Sequence, residues 1–183
     1  MIRTPSTRIL AVDVKSFLLG IAVFELPVRL LDWGKRATSA DSSSAYISKV
    51  LRKYAISVVL VRGLKRDEHR DTVRVRKGLH AVRMAARRHS IPIITVSQSR
   101  LHTFFHAYGQ RTRYETAQLI AAAFPELASV MPAPRKFYDP EDRRMAIFDA
   151  VALGLVFLGT SSNGELVRSV LGSAAGVFSL APR

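Results

Sequence analysis

Apolar residues gather in two kinds of pattern along this chain. Short apolar runs, Ile9 to Val12 and Ile56 to Val61 (ISVVLV), predict strands covered on both faces, and Ile91 to Val96 (IPIITV) predicts another that Pro92 starts or places near an edge. Leu18 to Phe24 is a further apolar run that contains Gly20, and Lys15 and Ser16 make a tight turn before it, so Ile9 to Phe24 predicts a hairpin. Val28 to Trp33 (VRLLDW) predicts a third strand after Pro27, and Gly34 to Ala40 a loop. Helical spacing takes over elsewhere. Asp41 and Ser42 to Ser44 offer an N-cap for a helix with Tyr46, Ile47, Val50, Leu51 and Tyr54 on one stripe. Val75, Leu79, Val82 and Ala86 predict a helix over 70–88, and Ser97 to Ser99 cap a short one to about Ala107. Ala117, Ile120, Ala121 and Phe124 predict a helix over 114–124 that Pro125 stops, and Met145, Phe148, Ala152 and Leu155 one over 141–158. From Gly159 the chain turns Gly/Ser-rich, with a short helix around 165–171 and a loose end, which divides it into a domain over 1–158 and a tail over 159–183.

Three strands, a helix, a strand, a helix, a strand and further helices make an α/β chain: an antiparallel meander, then parallel strands reached by helical crossovers. Two carboxylates break the pattern. Asp13 stands where the first buried strand emerges, and Asp149 sits inside the most apolar helix. A buried carboxylate costs free energy unless it is paired, hydrogen-bonded or bound to a metal. As an isolated feature, Asp13 also fits a turn cap.

Composition narrows the picture. The 183 residues are 48% hydrophobic, enough for one packed core. There is no cysteine, so disulfides, Cys-ligated zinc and thiol chemistry are excluded, in keeping with a reducing cytoplasm. The N-terminus MIRTPSTR lacks the apolar core of a signal peptide, and the longest apolar stretch, Ala146 to Leu158, is too short for a bilayer and contains Asp149. The net charge of +14 points to a polyanion, nucleic acid before an anionic membrane. Ten basic residues fall between Arg62 and Arg88, among them Lys65, Arg66, Arg70, Arg74 and Lys77, against Asp67, Glu68 and Asp71. Arg111 and Arg113 add a basic loop. These side chains are candidates to grip phosphates. His102 and His106 are four apart but have neither a third ligand nor an intervening Glu, so they read as ordinary histidines. No Walker-type loop or GxGxxG is present, which argues against a nucleotide phosphotransferase.

Three stretches resemble the RuvC-type Holliday-junction resolvases of the ribonuclease H-like superfamily: ILAVDVKSFLLGIAVF at Ile9, YGQRTRYETAQLIAAAF at Tyr108 and FDAVALGL at Phe148. The resemblance implies a ribonuclease H-like mixed five-stranded sheet, three antiparallel strands then parallel ones, flanked by helices. It implies a divalent-metal-dependent endonuclease on branched or duplex DNA, DNA ahead of RNA, acting in recombination or repair, with a homodimer as partner state. Asp13 matches the family's first catalytic aspartate and Asp149 its last, and Arg113 falls near a basic position that contacts DNA. Mg²⁺ or Mn²⁺ would be held by these carboxylates. The chain departs from the family twice. At the fourth strand, where the family has an acid, it has Val59 to Arg62 and no acid before Asp67; one turn before Asp149 it has Ala146. Asp142, on the same helix side as Asp149 but about 10 Å away, is the first candidate to complete the catalytic and metal set, followed by Glu141, Glu115 and Asp67. The alternative is a catalytically inactive nucleic-acid-binding or assembly subunit on the same fold.

Overall fold

The computed structural model describes residues 7–37, 39–63, 73–136, 138, 140–161 and 164–179. β1 (Arg8–Val14), β2 (Leu18–Glu25) and β3 (Arg29–Ala37) form the meander. They are followed by α1 (Ala40–Tyr54), β4 (Val58–Arg62), α2 (Val73–Arg88), β5 (Ile93–Val96), α3 (Gln98–His106), α4 (Arg113–Ala123), α5 (Met145–Gly159) and α6 (Gly164–Ser179). The sheet order is β3-β2-β1-β4-β5, with β1, β2 and β3 antiparallel and β1, β4 and β5 parallel. This is the expected five-stranded mixed sheet. Among the described residues no helix is long and apolar enough to cross a membrane.

The period of two along each strand distributes two cores. Ile9 and Ala11 of β1, Ala22 and Phe24 of β2 and Leu60 of β4 face the layer of α3, α4, α5 and α6. Leu10 and Val12, Ile21 and Val23, and Val59 and Val61 face α1 and α2. The alternation therefore carries Asp13, two residues past Ala11, and Arg62, two past Leu60, to the α5 side of the sheet. Position 20 of β2 falls on that side too, and only glycine fits: a Cβ there would lie 1.8 Å from the carbonyl oxygen of Ala146. The close crossing of β2 and α5 brings the start of α5 over the strand end that carries Asp13.

Several boundaries differ from the sequence expectation. β3 continues through Lys35 and Arg36 to Ala37, where a loop was expected, because the full length of β2 is available to pair with it; its charged residues suit a sheet edge. Ser39, not Asp41 or the following serines, caps α1, in a reciprocal box with Ser42. α5 begins at Met145 and not at Glu141, because Asp142 folds back to accept hydrogen bonds from the backbone N–H (2.7 Å) and guanidinium of Arg144. The expected loose tail contains a 16-residue helix, α6. Val167, Leu171 and Ala174 recur at helical spacing among its glycines and serines and are buried in the α4 and α5 layer.

Candidate functional site

Asp13 and Asp149 meet where the C-terminal ends of β1 and β4 pass under the start of α5. Asp13 is 1% exposed, and the Asp149 side chain 11%. Arg62 lies beside Asp13 because β1 and β4 are parallel, with Val12 opposite Val61. Its Nη2 is 2.5 Å from Asp13 Oδ1 and 3.7 Å from Asp149 Oδ2. Arg113, the first residue of α4, donates to both oxygens of Asp149, from Nε to Oδ1 at 3.2 Å and from Nη2 to Oδ2, and also pairs with Glu141. Lys15, from the β1–β2 turn, places Nζ 2.8 Å from Asp149 Oδ2 and 3.5 Å from Glu141 Oε1. Three acids, Asp13, Asp149 and Glu141, are thus laced to three cations, Lys15, Arg62 and Arg113.

Burial dominates the protonation of Asp13 and raises it to about 6, against the pull of Arg62; the charge of Asp149 adds to the rise. Asp149 is buried as well, but Arg113, Lys15 and Arg62 together outweigh burial and hold it below the usual carboxylate range. Asp13 Oδ2 and Arg62 Nε are buried without a hydrogen-bond partner. A cleft lined by Arg62, Gln98, His102, Arg111, Arg113 and Asp149 opens beside the acids.

The remaining sequence candidates are dispersed. Asp142 is turned onto Arg144 and away from the cluster, while its neighbour Glu141 reaches Lys15 and Arg113. Glu115 caps α4, accepting from the backbone N–H groups of Arg111 (2.7 Å) and Thr112 (2.9 Å), which holds its carboxyl low. Lys65, Arg66, Asp67 and Arg70 lie outside the described residues. Arg74 and Lys77 are exposed on α2, with Arg76, Arg83, Arg87 and Arg88. The Arg74 guanidinium lies 4.3 Å over the ring of Phe17, itself exposed in the turn that holds Lys15. His102 and His106 stack on one another, 5.8 Å between centroids. Sequence reasoning took Lys15 only as a turn residue; its spacing of two from Asp13 was the available signal.

The family resemblance implies divalent ions at these side chains. Mg²⁺ and Mn²⁺ need several oxygen ligands converging on one point. Here the oxygens of Asp149 and Glu141 are engaged by Lys15 and Arg113, and Asp13 Oδ1 by Arg62. Asp13 Oδ2 is a single leftover acceptor, not a donor set. Among the described residues no three acids or histidines gather in a metal-holding geometry. The arrangement does not fit a divalent ion.

The chain has the ribonuclease H-like fold. Its fold is similar to those of solved Holliday junction resolvases. Thermus thermophilus RuvC in complex with a Holliday junction is 18% identical over 91% of this chain and 97% of its own, with a TM-score of 0.57. The yeast mitochondrial Holliday junction resolvase Ydc2 is 11% identical over 94% of this chain and 85% of its own, with a TM-score of 0.56. Fowlpox virus resolvase, solved with its substrate Holliday junction DNA, is 13% identical over 84% of this chain and 99% of its own, with a TM-score of 0.50. No protein-family model matches the chain, and no curated protein sequence matches it.

Proposed function

We propose that this protein binds branched or duplex DNA with the face onto which the acid centre opens. The observation that carries the reading is the meeting of two basic elements at one turn. Residues 15–17 send Lys15 inward to Asp149 and Phe17 outward under Arg74 at the start of α2, so one turn joins the centre, beside whose cleft Arg111 and Arg113 stand, to the first basic residue of α2. Cations laid along such a face neutralise phosphates and position a duplex without reading its bases. The likeness to resolvases solved with Holliday junctions supports a four-way junction as the first ligand to try. A homodimer, which would present two such faces to a branched substrate, belongs to the same proposal.

Metal-dependent cleavage is the finer reading that the family resemblance implies. The contact of Arg62 with Asp13 is the observation behind a second reading, a binding protein that leaves the phosphodiester intact. Fluorescence anisotropy with a labelled four-way junction, a duplex and a single strand tests the binding. The expected result is affinity for the junction at or above that for the duplex, both well above the single strand, falling steeply with salt. Affinity that is flat between low and moderate salt contradicts the proposed face. Sedimentation equilibrium reads the dimer.

A further inference from the structure

We propose that Arg62 is the resident cation of the acid centre, its guanidinium pairing with Asp13 and reaching towards Asp149 in place of a divalent ion. The proposal rests on the site identified above and deepens its second reading. Three independent features support it. The first is register: Asp13 and Arg62 follow paired residues on adjacent parallel strands and lie on the same face, so the backbone itself holds them side by side. The second is geometry: one nitrogen, Nη2, approaches oxygens of both aspartates, at 2.5 and 3.7 Å.

The third is charge. Lys15, Arg62 and Arg113 balance Asp13, Asp149 and Glu141 one for one. A doubly charged ion entering this centre would face three cations at short range in a partly desolvated space, where such repulsion is poorly screened. The position one turn before Asp149 brings no further acid. Ala146 is fully buried, and its backbone lies hard against Gly20. The centre is therefore complete in its charge without metal.

Mn²⁺ binding, followed by loss of the free-ion signal in electron paramagnetic resonance, tests this on the full chain. Wild type is expected to show no saturable site up to about 1 mM Mn²⁺, weaker than dedicated carboxylate sites. Arg62→Glu exchanges the cation for a ligand and is expected to gain one site, at least tenfold tighter than any wild-type binding and lost in Arg62→Glu combined with Asp13→Asn. Stoichiometric Mn²⁺ binding by wild type that Asp13→Asn abolishes overturns the proposal, and so does a folded Arg62→Glu that gains no site. Should Arg62→Glu fail to fold, wild type against Asp13→Asn decides the matter alone. Junction binding is read separately: its loss in wild type refutes the DNA-binding reading and leaves the metal result standing.

Discussion

At Asp13 two opposing effects meet: burial raises its pKa to about 6, and Arg62 pulls it down. The unfolded value is about 3.9. Between the two, the folded chain holds a proton that the unfolded chain has released, so this group's contribution to stability is lost as pH rises through that window. Asp149 works in the opposite sense. Its folded value is depressed, so its contribution is present above the unfolded value and lost as pH falls through the folded one. The unfolding free energy of wild type relative to Asp13→Asn is therefore expected to decline between about pH 4 and pH 6.5; a difference that stays flat across denaturant melts in that range contradicts it. Arg62→Met leaves Asp13 buried without its cation and is expected to cost about 1–3 kcal/mol at pH 8, below the full cost of breaking a buried pair because Arg62 is partly exposed. Adding Asp13→Asn should recover much of that loss. Of these side chains, Asp13, Asp149 and Arg62 were legible in the sequence as polar residues ending or interrupting apolar runs. The partnership of Arg62 with Asp13 was not, because a phosphate-facing arginine and an acid-facing one look alike until the strand register is known. Glu141 and Lys15 were harder still. Both reach the centre from turns, whose conformation no hydrophobic period reports.

Two contacts between elements set the frame for that centre. β2 and α5 cross at Gly20 and Ala146, where a side chain would collide with backbone that has no freedom to rotate away. Gly20→Val should shift α5 off the sheet, cost about 3 kcal/mol or more, and weaken the pairing of Asp149 with Lys15 as a consequence. Stability close to wild type would mean that the crossing is looser than the geometry states. The other contact is α6, whose Leu171 is fully buried against the α4 and α5 layer. Leu171→Ala is expected to cost about 2–4 kcal/mol in a denaturant melt; a negligible loss would return the segment to the loose end that its composition suggests. The antiparallel meander and the parallel later strands were readable from the sequence because apolar runs and helical stripes alternate in an order that few topologies satisfy. The boundaries were not, for particular reasons. β3 extends on the pairing capacity of β2, and α5 starts late on a local carboxylate–arginine contact. α6 spreads a three-residue stripe through glycine and serine.

On the scale of the whole molecule, a charge of +14 surrounds a centre that is itself balanced. Part of the excess lies outside the centre on α2, whose six basic side chains meet no acid within that helix, so attraction to DNA and the state of the acids are separable properties. Charge reversal of Arg74 and Lys77 together is expected to weaken duplex and junction alike and to reduce the dependence of log affinity on log salt by about 2, with Asp13→Asn leaving that slope unchanged. The fold is ribonuclease H-like, and the cations at its centre are what set this chain apart from a carboxylate metal site. The most direct measurement is therefore a labelled four-way junction incubated with the full-length protein in chelator and in Mn²⁺, read for both binding and strand integrity. Equal binding in the two conditions at matched ionic strength, with an intact junction in each, is the expected result. Cutting that requires Mn²⁺ and disappears in Asp13→Asn and in Asp149→Asn would contradict it, and would show that Arg62 gives way to metal when DNA is bound.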